Sequence, residues 1–188
     1  YVPVDPQLRN CALAVEGVGT YSGRYAALAP RRLSAHALVV ISSGSGTARF
    51  AGADQDLSLS SPVAIWLRPG QTHRYGPDAS GWTEHWMLFA GAASALYVPK
   101  WTHKAIVGDP HLLTRRFRDV RDALVAPDRL APLRASVVAQ MLLIALSELT
   151  DEPALAPDSR RTLDSFAADA RMRMSLGDRA RKLGMTVD

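Results

Sequence analysis

Cysteine is nearly missing from this sequence. Cys11 is the only one in 188 residues, so no intrachain disulfide framework exists, and the expectation is a core that holds without staples in a reducing, cytoplasmic compartment. No motif sets a helix N-terminus or a basic partner beside Cys11, which reads as an inert thiol rather than a nucleophile. Clustered metal ligands are missing too. The five histidines include no H-x-H or H-x-x-x-H pair; His73 stands alone, with His36 on an earlier predicted strand and His85 on a later one, whereas a transition-metal site in a small barrel uses closer spacing. A G-x-S-x-G elbow, a P-loop and a G-x-G-x-x-G run are absent, which leaves nucleophilic hydrolysis and phosphate cradling without support. The N-terminal residues lack a signal-peptide profile, and by this reading no apolar run approaches the roughly 20 residues of a membrane helix. Charge of one sign is also scarce: 22 basic and 18 acidic residues leave a net charge of +4 with no long block of either, faint grounds for nucleic acid.

Apolar residues, by contrast, make up 47% of the chain, enough for one medium domain with a core of its own. From Leu33 to Phe89 they come in short or alternating runs separated by Gly, Pro, Ser and Asp. "HALVVIS", "TARF", "DLSLS" and "VAIWL" read as strands, with "SGSG", "AGADQ" and "RPGQ" as the turns between them. Many short strands with tight turns predict a barrel or sandwich. Past Asp109 the period changes to that of a helix. Asp109 is placed to cap it with Pro110 at its first position, and Leu113, Phe117, Val120 and Leu124 share one face. A second helix, Ala131 to Leu149, is apolar over more than half its circumference and wants partners on two sides. A twofold partner subunit is one candidate; a single subunit wrapping the helix is the other. "TDEPALAPD" reads as a linker, and Ser175 to Gly184 as a short capped helix.

The stretch "RPGQTHRYGPDASGWTEHW" holds the candidate chemistry. In "WTEHWMLF" a strand would put Trp82, Glu84, Trp86 and Leu88 on one face and Thr83, His85, Met87 and Phe89 on the other. If the first face points inward, Glu84 is a carboxylate between two indoles, and it needs a partner such as Arg31, Arg32, His73 or Tyr75, or a ligand. Such a lining suits a small polar molecule with one flat apolar surface. The competing reading leaves Trp82 and Trp86 as core, Glu84 at the barrel mouth, and His73 bonded to a turn.

"LVVISSGSGTARF", "RPGQTHRYGP" and "WTEHWMLFAG", with Gly44, Gly46, Pro69, Gly70, His73, Tyr75, Trp82, Trp86, Phe89 and Gly91 at the motif positions, resemble the effector-binding domain of AraC-type transcriptional regulators. "SLGDRARKLGMT" is similar to the opening of that family's first helix-turn-helix. The resemblance implies a cupin-like double-stranded β-barrel (jelly roll) of mainly β plus α class. The implied order is an N-terminal arm (1–10), an effector-binding barrel (11–108), a helical dimerisation element (109–149), a linker (150–157) and an incomplete DNA-binding domain (158–188). It further implies an effector pocket in which Trp86 stacks on the ligand, Tyr75 supplies a phenol, an arginine falls at Arg31 or Arg32, and Glu84 stands where sugar-responsive members carry a histidine. Trp82 and His73 complete the candidate set.

The function expected from this is effector sensing and dimerisation in a cytoplasmic DNA-binding regulator. It is not an enzyme, carries no metal or other cofactor, and has no membrane partner. Its partners would be a small polar effector, sugar-like ones included, a second copy joined through Val137, Met141, Leu142, Ile144 and Leu149, and operator DNA in the full-length protein only. A cupin-fold enzyme, such as a sugar isomerase or dioxygenase, and a ligand-free dimerisation barrel are the alternatives.

Overall fold

The computed structural model describes residue 2 and residues 6–25 and 29–150. The expected linker and helix-turn-helix segment, 151–188, lie outside the described residues. The elements run α1 (Pro6–Cys11), β1 (Ala14–Gly23), β2 (His36–Phe50), β3 (Leu57–Ser60), β4 (Val63–Leu67), β5 (His73–Ala90), a 3-10 turn (Ala92–Tyr97), β6 (Lys104–Ile106), α2 (Pro110–Leu124) and α3 (Ala131–Thr150). All strand pairs are antiparallel, in the order β1-β5-β2-β4-β6, with β3 added to the far half of β2.

Two expectations about strands need correction. "HALVVIS" and "TARF" are one continuous strand, β2, and the "SGSG" between them is a bend rather than a turn. The register against β5 shifts between Ile41 and Ser43 and again between Gly44 and Gly46. Gly44 has φ +86, and a Cβ on Gly46 would stand 2.2 Å from the Gly76 carbonyl and 2.8 Å from the Trp82 ring. Glycine therefore lets the strand fold back over β5 without losing the ladder. The "GPDASG" segment likewise lies inside the long β5. A second correction concerns β1, which the sequence reading did not assign. Its "EGVGTYSG" run has few apolar residues, yet it pairs with β5 from Ala14↔Ala90 to Gly23↔Trp82.

Strand parity sorts the apolar side chains into two cores. Leu38, Val40, Ala64, Trp66, Met87 and Phe89 face outward and pack with Leu113, Phe117, Val120, Leu142, Leu143 and Leu146 of the helices. Their chain neighbours Ala37, Val39, Ile41, Val63, Ile65 and Leu67 face into the barrel with Tyr75 and Trp82. Burial on both faces explains why "LVVI" and "VAIWL" are continuous apolar runs rather than alternating ones.

The first long helix starts as expected, with the Asp109 carboxylate accepting the Leu112 amide at 3.0 Å and Pro110 at the first turn. α3 corrects the expectation about apolar runs. Over 20 residues its mean hydropathy of 1.4 would suffice to cross a membrane, but part of it is buried against the strands and α2. The buried set includes Leu142 at 0% exposure, which removes Leu142 from any contact with a second subunit. Leu149 is only partly buried and also packs on this core. Leu133, Val137, Met141 and Ile144 remain exposed.

Candidate functional site

The inner face of the barrel does not close completely. It encloses an open cavity of about 370 Å3 whose polar lining is Tyr21, Tyr25, Arg31, Tyr75 and Glu84, with Trp86 and the aliphatic Leu33, Val39, Leu67 and Leu88 around them. Glu84, Trp86 and Leu88 share this face because they alternate along β5, as expected from the period of two. Trp86 is held by its cross-strand neighbour Gly19, where a Cβ would come within 2.6 Å of the indole.

The choice between the two arginines is made by a short bridge. Arg31 and His73 exchange backbone hydrogen bonds, 2.9 Å from the Arg31 amide and 3.0 Å from the His73 amide. That bridge aims the Arg31 side chain along Tyr75, with Cζ 5.7 Å from the ring centre and Nη2 donating to the hydroxyl at 3.5 Å. Arg32, one residue on, turns away and donates to Thr72 Oγ1 at 2.7 Å, outside the cavity. His73 is buried but does not line the cavity either. Its Nδ1 pairs with the Gln71 carbonyl at 2.9 Å and its ring stacks on Tyr75. Trp82 stands behind the wall, stacked on Tyr75 with ring centres 6.0 Å apart. Of the seven residues singled out from sequence, Arg31, Tyr75, Glu84 and Trp86 therefore meet at the cavity, while His73 and Trp82 buttress Tyr75 and Arg32 takes no part.

Tyr21 and Tyr25 were missed. The paired aromatics in "TYSGRY" were the available signal, but only the β1–β5 ladder brings them over the cavity. Their rings meet edge to face at 5.0 Å, and the Tyr25 hydroxyl donates to Glu84 Oε2 at 3.2 Å. Glu84 is only 6% exposed. Burial raises its pKa, against the opposing pull of the Tyr25 hydrogen bond and the Arg31 charge. The Tyr25 phenol is pushed up in turn, by burial first and by the nearby carboxylate second.

His85, the residue between Glu84 and Trp86, faces the other way. Its Nδ1 pairs with Thr20 Oγ1 at 2.9 Å, its Nε2 lies 3.2 Å from Ser42 Oγ and 3.4 Å from Thr114 Oγ1, and its ring tilts against Phe117. It lines a second, smaller cavity of about 240 Å3 between the sheet and α2, beside Arg118 and Arg121. Among the described residues no group of three or more His, Cys, Asp or Glu side chains is placed to hold a metal ion.

No curated protein sequence is significantly similar to the chain. Among solved structures, ToxT from Vibrio cholerae is similar with a TM-score of 0.43 at 7% identity, over 93% of this chain and 72% of ToxT. YhaK from Escherichia coli is similar with a TM-score of 0.39 at 19% identity, over 48% of this chain and 41% of its own. A cupin superfamily protein from Desulfitobacterium hafniense has a TM-score of 0.34 at 10% identity, over 42% of this chain and 68% of its own. The model of the AraC-like ligand binding domain matches residues 18–143. That span takes in most of β1, every other strand of the cupin-like barrel, the cavity and most of the helical pair, and the chain belongs to the AraC-like ligand-binding domain family.

Proposed function

We propose that this chain is the effector-sensing and dimerising part of a cytoplasmic, DNA-binding transcription regulator, which takes a small polar molecule into the barrel. The observation that carries the reading is the open 370 Å3 cavity, in a family of ligand-binding domains, with Arg31, Tyr75, Glu84 and Trp86 converging on it. A barrel serving only as a dimerisation scaffold would have no need of a cavity lined by a buried carboxylate, because leaving such a group without a ligand is costly. The indole offers one flat surface and the polar groups offer directional bonds, which suits a polyhydroxylated or similarly polar effector.

The route outward is short. Glu84 and Trp86 touch the cavity, whereas His85 between them binds Thr114 of α2, and α2 packs on α3. An effector that favours one setting of β5 would bias these helices and, through them, the DNA-binding region; equal affinity for both settings would shift nothing. α3 supplies the second surface of the proposal. Leu133, Val137, Met141 and Ile144 recur at helical spacing on its exposed side and fit the same stripe of a second copy in a twofold dimer.

Thermal-shift screening of sugars, amino acids and aromatic acids identifies the effector, and Trp86→Ala tests the site. The substitution is expected to weaken effector binding at least tenfold while sedimentation still reports a dimer. Unchanged affinity for the identified effector would remove the cavity from the proposal.

A further inference from the structure

We propose that the barrel cavity recognises an organic cation, a protonated amine on a compact apolar body, with its charge set against the Glu84 carboxylate. The inference rests on the reading of this cavity as the effector pocket and adds the charge of the ligand to it.

The starting point is an imbalance within the cavity. Glu84 is buried, yet among the described residues no lysine, arginine or histidine forms an ion pair with it. It accepts a hydrogen bond from a neutral phenol, Tyr25, and the other side chain that lowers its pKa by hydrogen bonding, Trp82, is neutral as well. Among the described residues Arg31 is the only cationic group lining the cavity, and it is exposed, leaning on Tyr75 rather than bonding the carboxylate. A buried carboxylate is stabilised most by a donor that is itself charged, since such bonds are about twice as strong as neutral ones. A neutral hydroxyl satisfies the oxygen, and the Arg31 charge acts on the carboxylate only from a distance, with no hydrogen bond or ion pair between them.

The remaining walls favour the same ligand. Tyr21, Tyr25, Tyr75 and Trp86 all line the cavity. Two of these rings, Tyr21 and Tyr25, stand nearly at right angles, at 78°. Aromatic faces attract cations, more strongly where water is excluded. They also give an apolar body something to pack on. An anion, in contrast, would meet the field of Glu84 as it entered and could gain only from Arg31 at the exposed rim. A ligand with an amine at one end and an acceptor at the other can use both groups, amine inward and acceptor at Arg31.

Three probes of one shape separate charge from fit: benzylamine, benzyl alcohol and benzoate, titrated calorimetrically into the full 188-residue chain near neutral pH. Benzylamine is expected to bind at least tenfold more tightly than benzyl alcohol, with benzoate weakest. Glu84→Gln, which keeps the side-chain volume, is expected to abolish that preference. If benzoate matches or exceeds benzylamine, or if Glu84→Gln retains the tenfold preference, the cation assignment is overturned while the pocket reading stands on the alcohol's binding and its loss in Trp86→Ala. If none of the three binds, the cation assignment also falls, and the effector screen then decides the pocket reading separately.

Discussion

Gly19 faces Trp86 across the β1–β5 ladder, and the absence of a side chain there gives the indole its seat. An alanine Cβ would stand 2.6 Å from Cζ2 and 2.8 Å from Cε2, too close for a rigid bicyclic ring to absorb by a small shift. Gly19→Ala therefore pushes the indole into the cavity. Overpacking of this kind costs about 1–3 kcal/mol, so the variant should still fold, with altered tryptophan fluorescence and weakened effector binding. Normal binding with an unchanged emission maximum would show that the indole has another position open to it. Gly46 is a harsher case, because the obstructing atom is the Gly76 carbonyl, at 2.2 Å, and backbone cannot rotate aside. Gly46→Ala should lower the unfolding midpoint more than Gly19→Ala. Part of this site was legible from the sequence. Alternation alone put Glu84 and Trp86 together, whereas the preference for Arg31 over Arg32 depends on a two-residue bridge to His73 that no local pattern records. Tyr21 and Tyr25 depend on pairing across more than sixty residues of chain, with Tyr21 opposite Glu84.

Among the elements, α3 carries two faces that substitutions should separate. Leu142 and Leu143 are at most 1% exposed in the core shared with α2 and the sheet, while Val137 and Met141 are about half exposed one turn apart. Leu142→Ala should cost about 2–5 kcal/mol of stability, the usual range for a buried leucine truncated with incomplete collapse. Introducing charge as Val137→Asp with Met141→Lys should leave the unfolding midpoint of the monomer nearly unchanged and abolish the dimer in sedimentation. A dimer that survives the double substitution places the subunit contact elsewhere. The helix itself is readable from its period, but its apolar residues encircle it too widely for sequence to say which ones face home, and Leu142, expected at the subunit contact, lies in the core. Helical period survives local irregularity better than strand boundaries do. "SGSG" looks like a turn because glycine and serine make turns, and it also looks like a bend within a strand because glycine permits close approach.

Across the whole molecule, three histidines, His73 and His85 buried and His36 half-buried, set how stability follows pH. His36, His73 and His85 all have their pKa lowered from the usual 6.5, in each case first by burial. The charge of Arg68 adds to this at His36 and that of Arg118 at His85. At His73 the Gln71 carbonyl pulls the other way. Each ring has structural work as a neutral imidazole: His36 accepts from Trp66 Nε1 at 3.1 Å, and His85 ties Thr20 to Thr114. The unfolded chain takes up protons at these sites before the folded chain does, so the contribution is fully present above about pH 6.5 and is lost as pH falls through that value towards the depressed native pKa values. Glu84 has the opposite sign. Its raised pKa means that the folded state takes up a proton first, which recovers stability as pH falls towards the ordinary carboxylate range. Three sites against one should give a net fall in the urea midpoint from about pH 7.5 to about pH 5.5. Glu84→Gln removes the compensating group, so its midpoint should exceed that of the parent at the upper pH and fall more steeply towards the lower. A parent midpoint that rises on acidification over this range would mean that the buried carboxylate outweighs all three histidines.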